Sequence, residues 1–517
     1  MSDVVIYGAT AAGVCAAVAA AEAGATVTLC EPRGHVGGMV SGGLGYTDVG
    51  DLRVLGGLAA RFRAAVAEHY GVPVGHYAGP EPRVAEAIFL SWLETAGVNL
   101  VFDAPLDGVG LGADEQGAPR IDWLAAAGTR YAAAVFIDAS YEGDLLAAAG
   151  VPYAVGREDT ALYGESLAGR QEVVPGMHNF PAGISPFLND PTGRDPGPLL
   201  PQIKPEPLAP VGAGDGGIMS YGYRVCLSQA PDRLPFTPSP AWNPERWELG
   251  RRLFDHWQRS GIPVAAGRLL GLEPNLPGGK CDGNSLGPFS LSMHDGSAWR
   301  YPEADPAERE QIRLAHRHHA QDFLWFLATD PDVPAAVRAE LGRWGLPADE
   351  FADTGHLPHQ LYVREARRMR GAQTLTQHDL TSPKPWPDAI AMGSYHIDIR
   401  EVQRAWRWVP EHPDPIAHVV TEGYLSVAVL PYQVPYGALT PHYRDCANLL
   451  LPICLSASHV AFASVRMEPQ YQMLGQATGV AATLAARGGR AVQRIDIGAL
   501  QQQLADDGAV LALGGVA

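Results

Sequence analysis

Three side chains in this sequence have the chemistry to move a proton or hold an anion at neutral pH. His396, in Gly393-Ser394-Tyr395-His396-Ile397-Asp398, and His459, in Ser456-Ala457-Ser458-His459, carry imidazoles whose charge changes in that range. Aromatic and apolar neighbours leave His396 open to two readings, an acid/base group or a buried structural histidine. Arg364 stands close to Arg367, Arg368 and Arg370. On a helix the first three would share a face, forming either a salt-bridged surface or a wall that grips carboxylates with paired N–H groups.

The element that must position any such group lies at the start of the chain. Val4-Val5-Ile6-Tyr7 reads as a buried strand, an Ala-rich helix runs from Val14 to Ala23, and Thr26–Cys30 reads as a second strand closed by Glu31. Between the first strand and the helix lies Gly8-Ala9-Thr10-Ala11-Ala12-Gly13, and Glu31 follows Gly13 by eighteen positions. That is the layout of a dinucleotide-binding β-α-β unit: glycine permits close helix–strand approach, helix N–H groups face a pyrophosphate, and the acid accepts from a ribose diol. Thr10 departs from the pattern, occupying the place of its middle glycine. Residues 34–45 then hold six glycines in twelve positions, useful where backbone must pass close to a flat or phosphorylated ligand.

A chain of 517 residues is too long for one ordinary core, so two intertwined domains are expected. The net charge of −18 argues against nucleic acid or an anionic membrane as the main partner. Six scattered cysteines without a Cys-x-x-Cys pair form a reduced-thiol pattern, not a disulfide framework or zinc site. With no apolar run of membrane length and a first strand that starts at Val4, a cytoplasmic protein is the consistent reading.

Helices are expected near 55–70, 84–96, 306–328, 333–344 and 470–486, and strands at 98–102, 133–140, 219–227, 427–436 and 448–454. Residues 106–134 read as a small β-meander. Gly212-Ala213-Gly214-Asp215-Gly216-Gly217 matches the dinucleotide string literally but follows Pro-rich chain, with no helix after it, and is read as a decoy. No other such unit is seen, so no nicotinamide domain is expected. His316 and His318 cannot share a helix face, and His316 and His319 lack nearby carboxylates at ligand spacing, so the three are read as a solvated or hydrogen-bonded face, with no metal site expected.

Gly37-Gly38-Met39…Ser41-Gly42-Gly43-Leu44-Gly45, Tyr141-Glu142-Gly143-Asp144-Leu145, Tyr163-Gly164-Glu165, Leu361-Tyr362-Val363-Arg364-Glu365 and Ser456–Phe462 together resemble the bacterial FAD-dependent oxidoreductases, flavoproteins of the two-dinucleotide-binding-motif type. Some relatives carry the label xanthan lyase. The resemblance implies an α/β fold: a discontinuous Rossmann-like FAD-binding domain of glutathione-reductase type, built from 1–150 and 426–517, with an inserted α+β substrate or cap domain at 151–425. It implies FAD contacts from Gly8, Thr10, Ala11, Ala12, Gly13, Glu31, Pro32, Arg33, Gly37, Gly38 and Met39, from Val101 toward adenine, and from Asp138, Ala139 and Ser140. Asp138 could instead cap the helix that follows. Cys454, Ser458, His459 and Gln470 would finish the site, the helix N-terminus pointing at the pyrimidine edge of the flavin.

The activity implied is removal of a hydride from a polar small molecule (alcohol or amine oxidation, or desaturation), with non-covalent FAD reoxidised by dioxygen or a separate carrier. His396, His459 and Arg364 would serve the reaction, and the two histidines should meet at the flavin. Sugars or acidic sugar derivatives are favoured only weakly among substrates. Two alternatives stay open: a flavin-dependent RNA-modifying protein, disfavoured by the acidic balance, and a pathway protein that keeps FAD as a structural element. A homo-oligomer also stays open.

Overall fold

β1 (Ser2–Tyr7) runs through the middle of a seven-stranded sheet. Its residues 4–7 are buried, as an apolar run with neighbours on both sides requires. The computed structural model describes residues 2–176, 178–409 and 415–514. α1 (Ala11–Glu22) carries the chain from β1 to β2 (Val27–Cys30), which pairs parallel with β1. α2 (Gly57–Tyr70) and α3 (Pro82–Thr95) follow, with Phe62 stacked on Phe89 at 4.8 Å. β3 (Asn99–Val101) then adds parallel to β2.

β4 (Leu106–Ala113), β5 (Pro119–Ala126) and β6 (Thr129–Asp138) form the expected meander. β6 belongs to two geometries: 129–132 pair antiparallel with β5, and 133–138 pair parallel with β1. α4 (Asp144–Ala148) and the single turn α5 (Thr160–Tyr163) lead into the middle of the chain.

There the described residues form five two-stranded ribbons in place of a second large sheet. They are β7 (Tyr153–Ala154) with β10 (Arg368–Met369), β8 (Val225–Ser228) with β9 (Lys280–Gly283), β11 (Ala389–Gly393) with β16 (Tyr432–Pro435), β12 (Ile397–Ile399) with β15 (Leu425–Val427), and β13 (Gln403–Val409) with β14 (Ile416–Glu422). α6 (Glu248–Arg259), α7 (Pro306–Thr329), α8 (Ala335–Leu341) and α9 (Gln377–Thr381) accompany them. Trp247 packs on Phe289, His319 and Phe326 to give this region its own aromatic core.

β17 (Leu449–Leu450) returns to the large sheet, parallel to β6 at Phe136 and Ile137. α10 (His459–Val465), α11 (Glu468–Gly488) and α12 (Ile497–Asp506) close the fold. α11 lies directly on α1: a Cβ on Gly475 would come within 2.2 Å of the Ala12 carbonyl oxygen. Both ends of the chain therefore build one sheet-and-helix layer. β15, which begins at Leu425, and β16 after it pair with strands of the middle stretch, and the chain rejoins the large sheet at Leu449.

Several expectations need correction. Residues 361–376 form no helix; they run extended, with only Arg368–Met369 in a ribbon. The expected strand at 219–227 shrinks to Val225–Ser228, that at 427–436 splits into β15 and β16, and that at 448–454 keeps only two residues. His316 and His319 are buried, not solvated, and His319 Nε2 bonds the Ser290 carbonyl at 2.9 Å. The decoy string is a loop whose Asp215 holds Arg157 at 2.6 Å. Among the described residues no helix is long and apolar enough to cross a membrane.

Candidate active site

The C-terminal ends of β1, β2 and β6 open onto a cleft of about 520 Å³, lined by Gly8, Thr10, Glu31, Pro32, Arg33, Gly38, Ser140 and Tyr141 among others. The size suits a ligand site, and the edge of parallel strands is where α/β folds place one. Thr10 caps α1: its hydroxyl accepts from Gly13 N at 3.1 Å and donates to the Ala139 carbonyl at 2.8 Å. The threonine thus ties the helix start to β6. Gly13 cannot be larger, because its Cβ would lie 1.9 Å from the Gly8 carbonyl oxygen. Ala11 and Ala12 complete the first turn of α1, and the Gly37 N–H reaches the Ala9 carbonyl at 2.7 Å.

Glu31 accepts from Ala9 N at 2.7 Å and from Arg33 N at 2.9 Å. Burial nonetheless pushes its carboxyl up to about 7, against those two bonds. Across the cleft, Arg309 of α7 and Arg367 share Asp144 at 2.7 and 2.9 Å, and Tyr301 donates to Glu142 at 2.9 Å. The middle of the chain thereby roofs the cleft. His35 stacks on His359 at 4.0 Å, with its ring nitrogens 3.0 Å from Glu86 and 3.0 Å from Asp353. The Glu86 hydrogen bond holds the His35 ring above its ordinary range despite burial, whereas burial drops His359 to about 3. Neither ring nitrogen of the buried His359 has a protein partner.

At the start of α11, Tyr141 donates to Glu468 at 2.6 Å while accepting the Met39 N–H at 2.9 Å. Burial raises the Glu468 carboxyl to about 8, although the tyrosine bond opposes this. Its Oε2 and the Gln470 Nε2 are both buried without protein partners. A cleft at the strand ends, a glycine-rich run beside it, and orphaned polar atoms at a helix N-terminus fit a dinucleotide that continues into a polar ring.

Other residues expected to touch the cofactor have tasks within the chain. Asp138 accepts from Leu146 N at 2.8 Å and from the Ser140 N–H and hydroxyl, so its geometry is that of the helix-capping alternative. The Val101 carbonyl takes the Glu31 N–H at 2.8 Å. The Cys454 thiol is buried against the Ser140 and Tyr141 carbonyls, and Ser458 caps α10 while donating to Glu165 at 2.6 Å.

A second group of polar residues sits beyond the glycine-rich run. Ser394 Oγ donates to the Val49 carbonyl at 2.9 Å and accepts from Asp51 N at 2.8 Å, and Ser464 of α10 donates to the Tyr395 carbonyl at 2.5 Å. The His396 segment is thus clamped between residues 49–51, just after the glycine-rich run, and α10. His396, 36% exposed, lies 3.8 Å from Asp398 Oδ1. Arg466 reaches Asp398 Oδ2 at 3.2 Å and donates to the Tyr362 hydroxyl at 3.1 Å; the Arg364 guanidinium stacks on the Tyr362 ring at 4.4 Å. Burial disfavours the Asp398 carboxylate, but the neighbouring His396 and the Arg400 and Arg466 charges hold it down at about 2. Asp48 goes the other way: burial raises it, with Asp398 and Asp282 adding repulsion.

The structure does not bring His396 and His459 together. His459 begins α10, with Nδ1 on Glu365 at 2.8 Å, whereas His396 is linked through Asp398 to Arg466 at the other end of that helix. Seven residues of helix span roughly 10 Å. The arginines likewise diverge, Arg364 to the Ser220 carbonyl, Arg367 to Asp144 and Arg368 to Glu158. Sequence reasoning missed Asp48, Tyr362, Asp398, Arg466, Tyr141 and Glu468. Tyr362 and Tyr141 lie in, and Asp48 just after, motifs already singled out by the resemblance, and Asp398 ends the segment quoted for His396; their links to Arg466 and Glu468 run between remote segments.

A family model described as FAD dependent oxidoreductase matches residues 3–504. No curated protein matches the sequence. Among solved structures, THI4 of Thermovibrio ammonificans is similar over 30% of this chain and 66% of its own, at 19% identity and TM-score 0.24. Thioredoxin reductase of Lactococcus lactis is similar over 27% and 35%, at 20% identity and TM-score 0.18. L-proline dehydrogenase of P. horikoshii is similar over 31% and 58%, at 14% identity and TM-score 0.23. The chain thus spans less than two thirds of each of these proteins. With a family match covering nearly its whole length, the chain belongs to the FAD dependent oxidoreductase family, and FAD is its cofactor.

Proposed function

We propose that this protein removes a hydride from a polar small molecule, as in alcohol or amine oxidation or desaturation, and that His396 receives the proton released with it. Bound FAD supplies the hydride acceptor, and dioxygen or a separate carrier takes the electrons onward. What supports the role of His396 is its placement: an imidazole exposed over about one third of its surface, beside a carboxylate, on a segment hydrogen-bonded to Val49 and Asp51 just after the glycine-rich run. Asp398 stabilises the imidazolium as it forms, and Arg466 keeps Asp398 ionised and oriented. FAD is held without a covalent bond in this reading, since both His35 nitrogens are engaged by carboxylates and the Cys454 thiol is buried.

Anaerobic titration of the FAD-loaded protein against alcohols, amines and hydroxy acids tests the reading. At least one class should bleach the flavin absorbance. A flavin reducible by dithionite but by none of those compounds would favour a structural cofactor.

A further inference from the structure

Among the described residues seven arginines are more than nine-tenths buried: Arg157, Arg224, Arg364, Arg367, Arg368, Arg404 and Arg466. Five sit within 4 Å of a carboxylate, on Asp215 and Glu422, Asp282, Asp144, Glu158 and Asp398 respectively for Arg157, Arg224, Arg367, Arg368 and Arg466. Arg404 has none but is held by Gln202, the Pro288 carbonyl and His294. Arg364 has neither arrangement. Among the described residues it donates only to the Ser220 carbonyl and, at 3.5 Å, to Ser292 Oγ. Its sequence neighbour Glu365 is turned away, onto His459 and Arg368.

A buried guanidinium with no carboxylate in contact is costly even with the Glu401 charge acting on it from further off, so chains rarely keep one without a use. The surroundings are short of acceptors in the same place. Ser220 Oγ, on the residue whose carbonyl Arg364 holds, has no partner; nor has Nε of Arg466, which shares Tyr362 with Arg364. Burial and the nearby Arg400 and Arg466 charges lower the Arg364 guanidinium only to about 10, so it stays cationic at neutral pH. A fixed cation held only by a carbonyl and, at 3.5 Å, a hydroxyl, beside a partnerless Ser220 hydroxyl and a partnerless Arg466 N–H, suits an anion with two oxygens.

We infer that Arg364 anchors a carboxylate of the substrate, so that the molecule oxidised is a small organic acid. The anchor connects to the proposed base: Arg364 stacks on Tyr362, Tyr362 accepts from Arg466, and Arg466 holds the Asp398 beside His396. A substrate gripped at Arg364 would therefore present its other end toward His396. This deepens the function proposed above and rests on it for the redox step, but not for binding.

The test is calorimetric titration of oxidised, FAD-loaded protein under nitrogen, at fixed ionic strength. Acetate, pyruvate, benzoate and glucuronate are each compared with acetamide, acetone, benzamide and glucose. At least one carboxylate should bind saturably and about tenfold or more tighter than its uncharged counterpart. Arg364→Gln should lose that preference, and Arg364→Lys, a point charge without the fork, should lose part of it while keeping the FAD content and Tm of the parent. If the Gln variant does not fold, the Lys variant decides. No carboxylate preference in the parent, or an undiminished one in the folded variants, overturns the inference. Carboxylate binding without flavin bleaching by any compound would instead count against the redox reading alone.

Discussion

His459 Nδ1 lies 2.8 and 2.9 Å from the two carboxylate oxygens of Glu365, and neither residue is more than 1% exposed. The His459 N–H also donates to Glu158 at 2.9 Å, and Arg368 lies against both acids. The pair thus fixes the start of α10 in the interior. His459→Ala should cost about 1–3 kcal/mol of stability by stranding a buried acceptor, and should lower the FAD content of the purified protein. Urea denaturation measures the cost; an unchanged midpoint would show that the pair contributes nothing.

Gly13→Leu should yield colourless protein. Its Cβ alone would lie 1.9 Å from the Gly8 carbonyl oxygen, so α1 would have to leave β1 and the cleft would lose its floor. Flavin absorbance after gel filtration, with circular dichroism to establish folding, is the check. A folded, fully yellow variant would remove the basis for the cofactor site.

Such local relationships are what a sequence displays best. The β1 strand, its glycine turn, α1 and Glu31 all lie within thirty-one residues, and α7 and α11 are long enough for their periodicity to be seen. The arginine run misled because spacings of three and four also occur in extended chain. Arg364, Arg367 and Arg368 are separated by contacts to residues between 144 and 223 positions away, which no local pattern encodes. The Asp398–Arg466 pair, 68 positions apart, was invisible for the same reason. His316 and His319 looked solvated because α7 is rich in charge. Helix α7 instead packs into the aromatic core around Trp247.

FAD affinity should depend on pH through Glu31. Burial raises that carboxyl to about 7, and accepting from both ribose hydroxyls requires the ionised form. Binding then releases a proton: affinity should be level above pH 7 and fall by up to about tenfold per unit below it. Fluorescence titration of the apoprotein between pH 5.5 and 8.5 measures this, and Glu31→Gln should flatten the profile. An affinity that rises toward low pH would contradict the assignment.

The flavin should leave the chain on denaturation. His35 is held between Glu86 and Asp353, and Cys454 is buried against two carbonyls. Acid precipitation should give a white pellet and a yellow supernatant. Colour retained by the pellet would demonstrate a covalent link.

In the proposed reaction His396 takes a proton as the substrate is oxidised, a step that stopped-flow anaerobic reduction reads out. With a substrate that bleaches the parent flavin, His396→Ala should slow reduction by roughly a hundredfold or more, the scale expected for losing a general base, while FAD content is unchanged. Exposed at one third of its surface, His396 can be replaced without opening the core. Reduction of the His396→Ala flavin at the parental rate, at every pH from 6 to 9, would rule out His396 as the base.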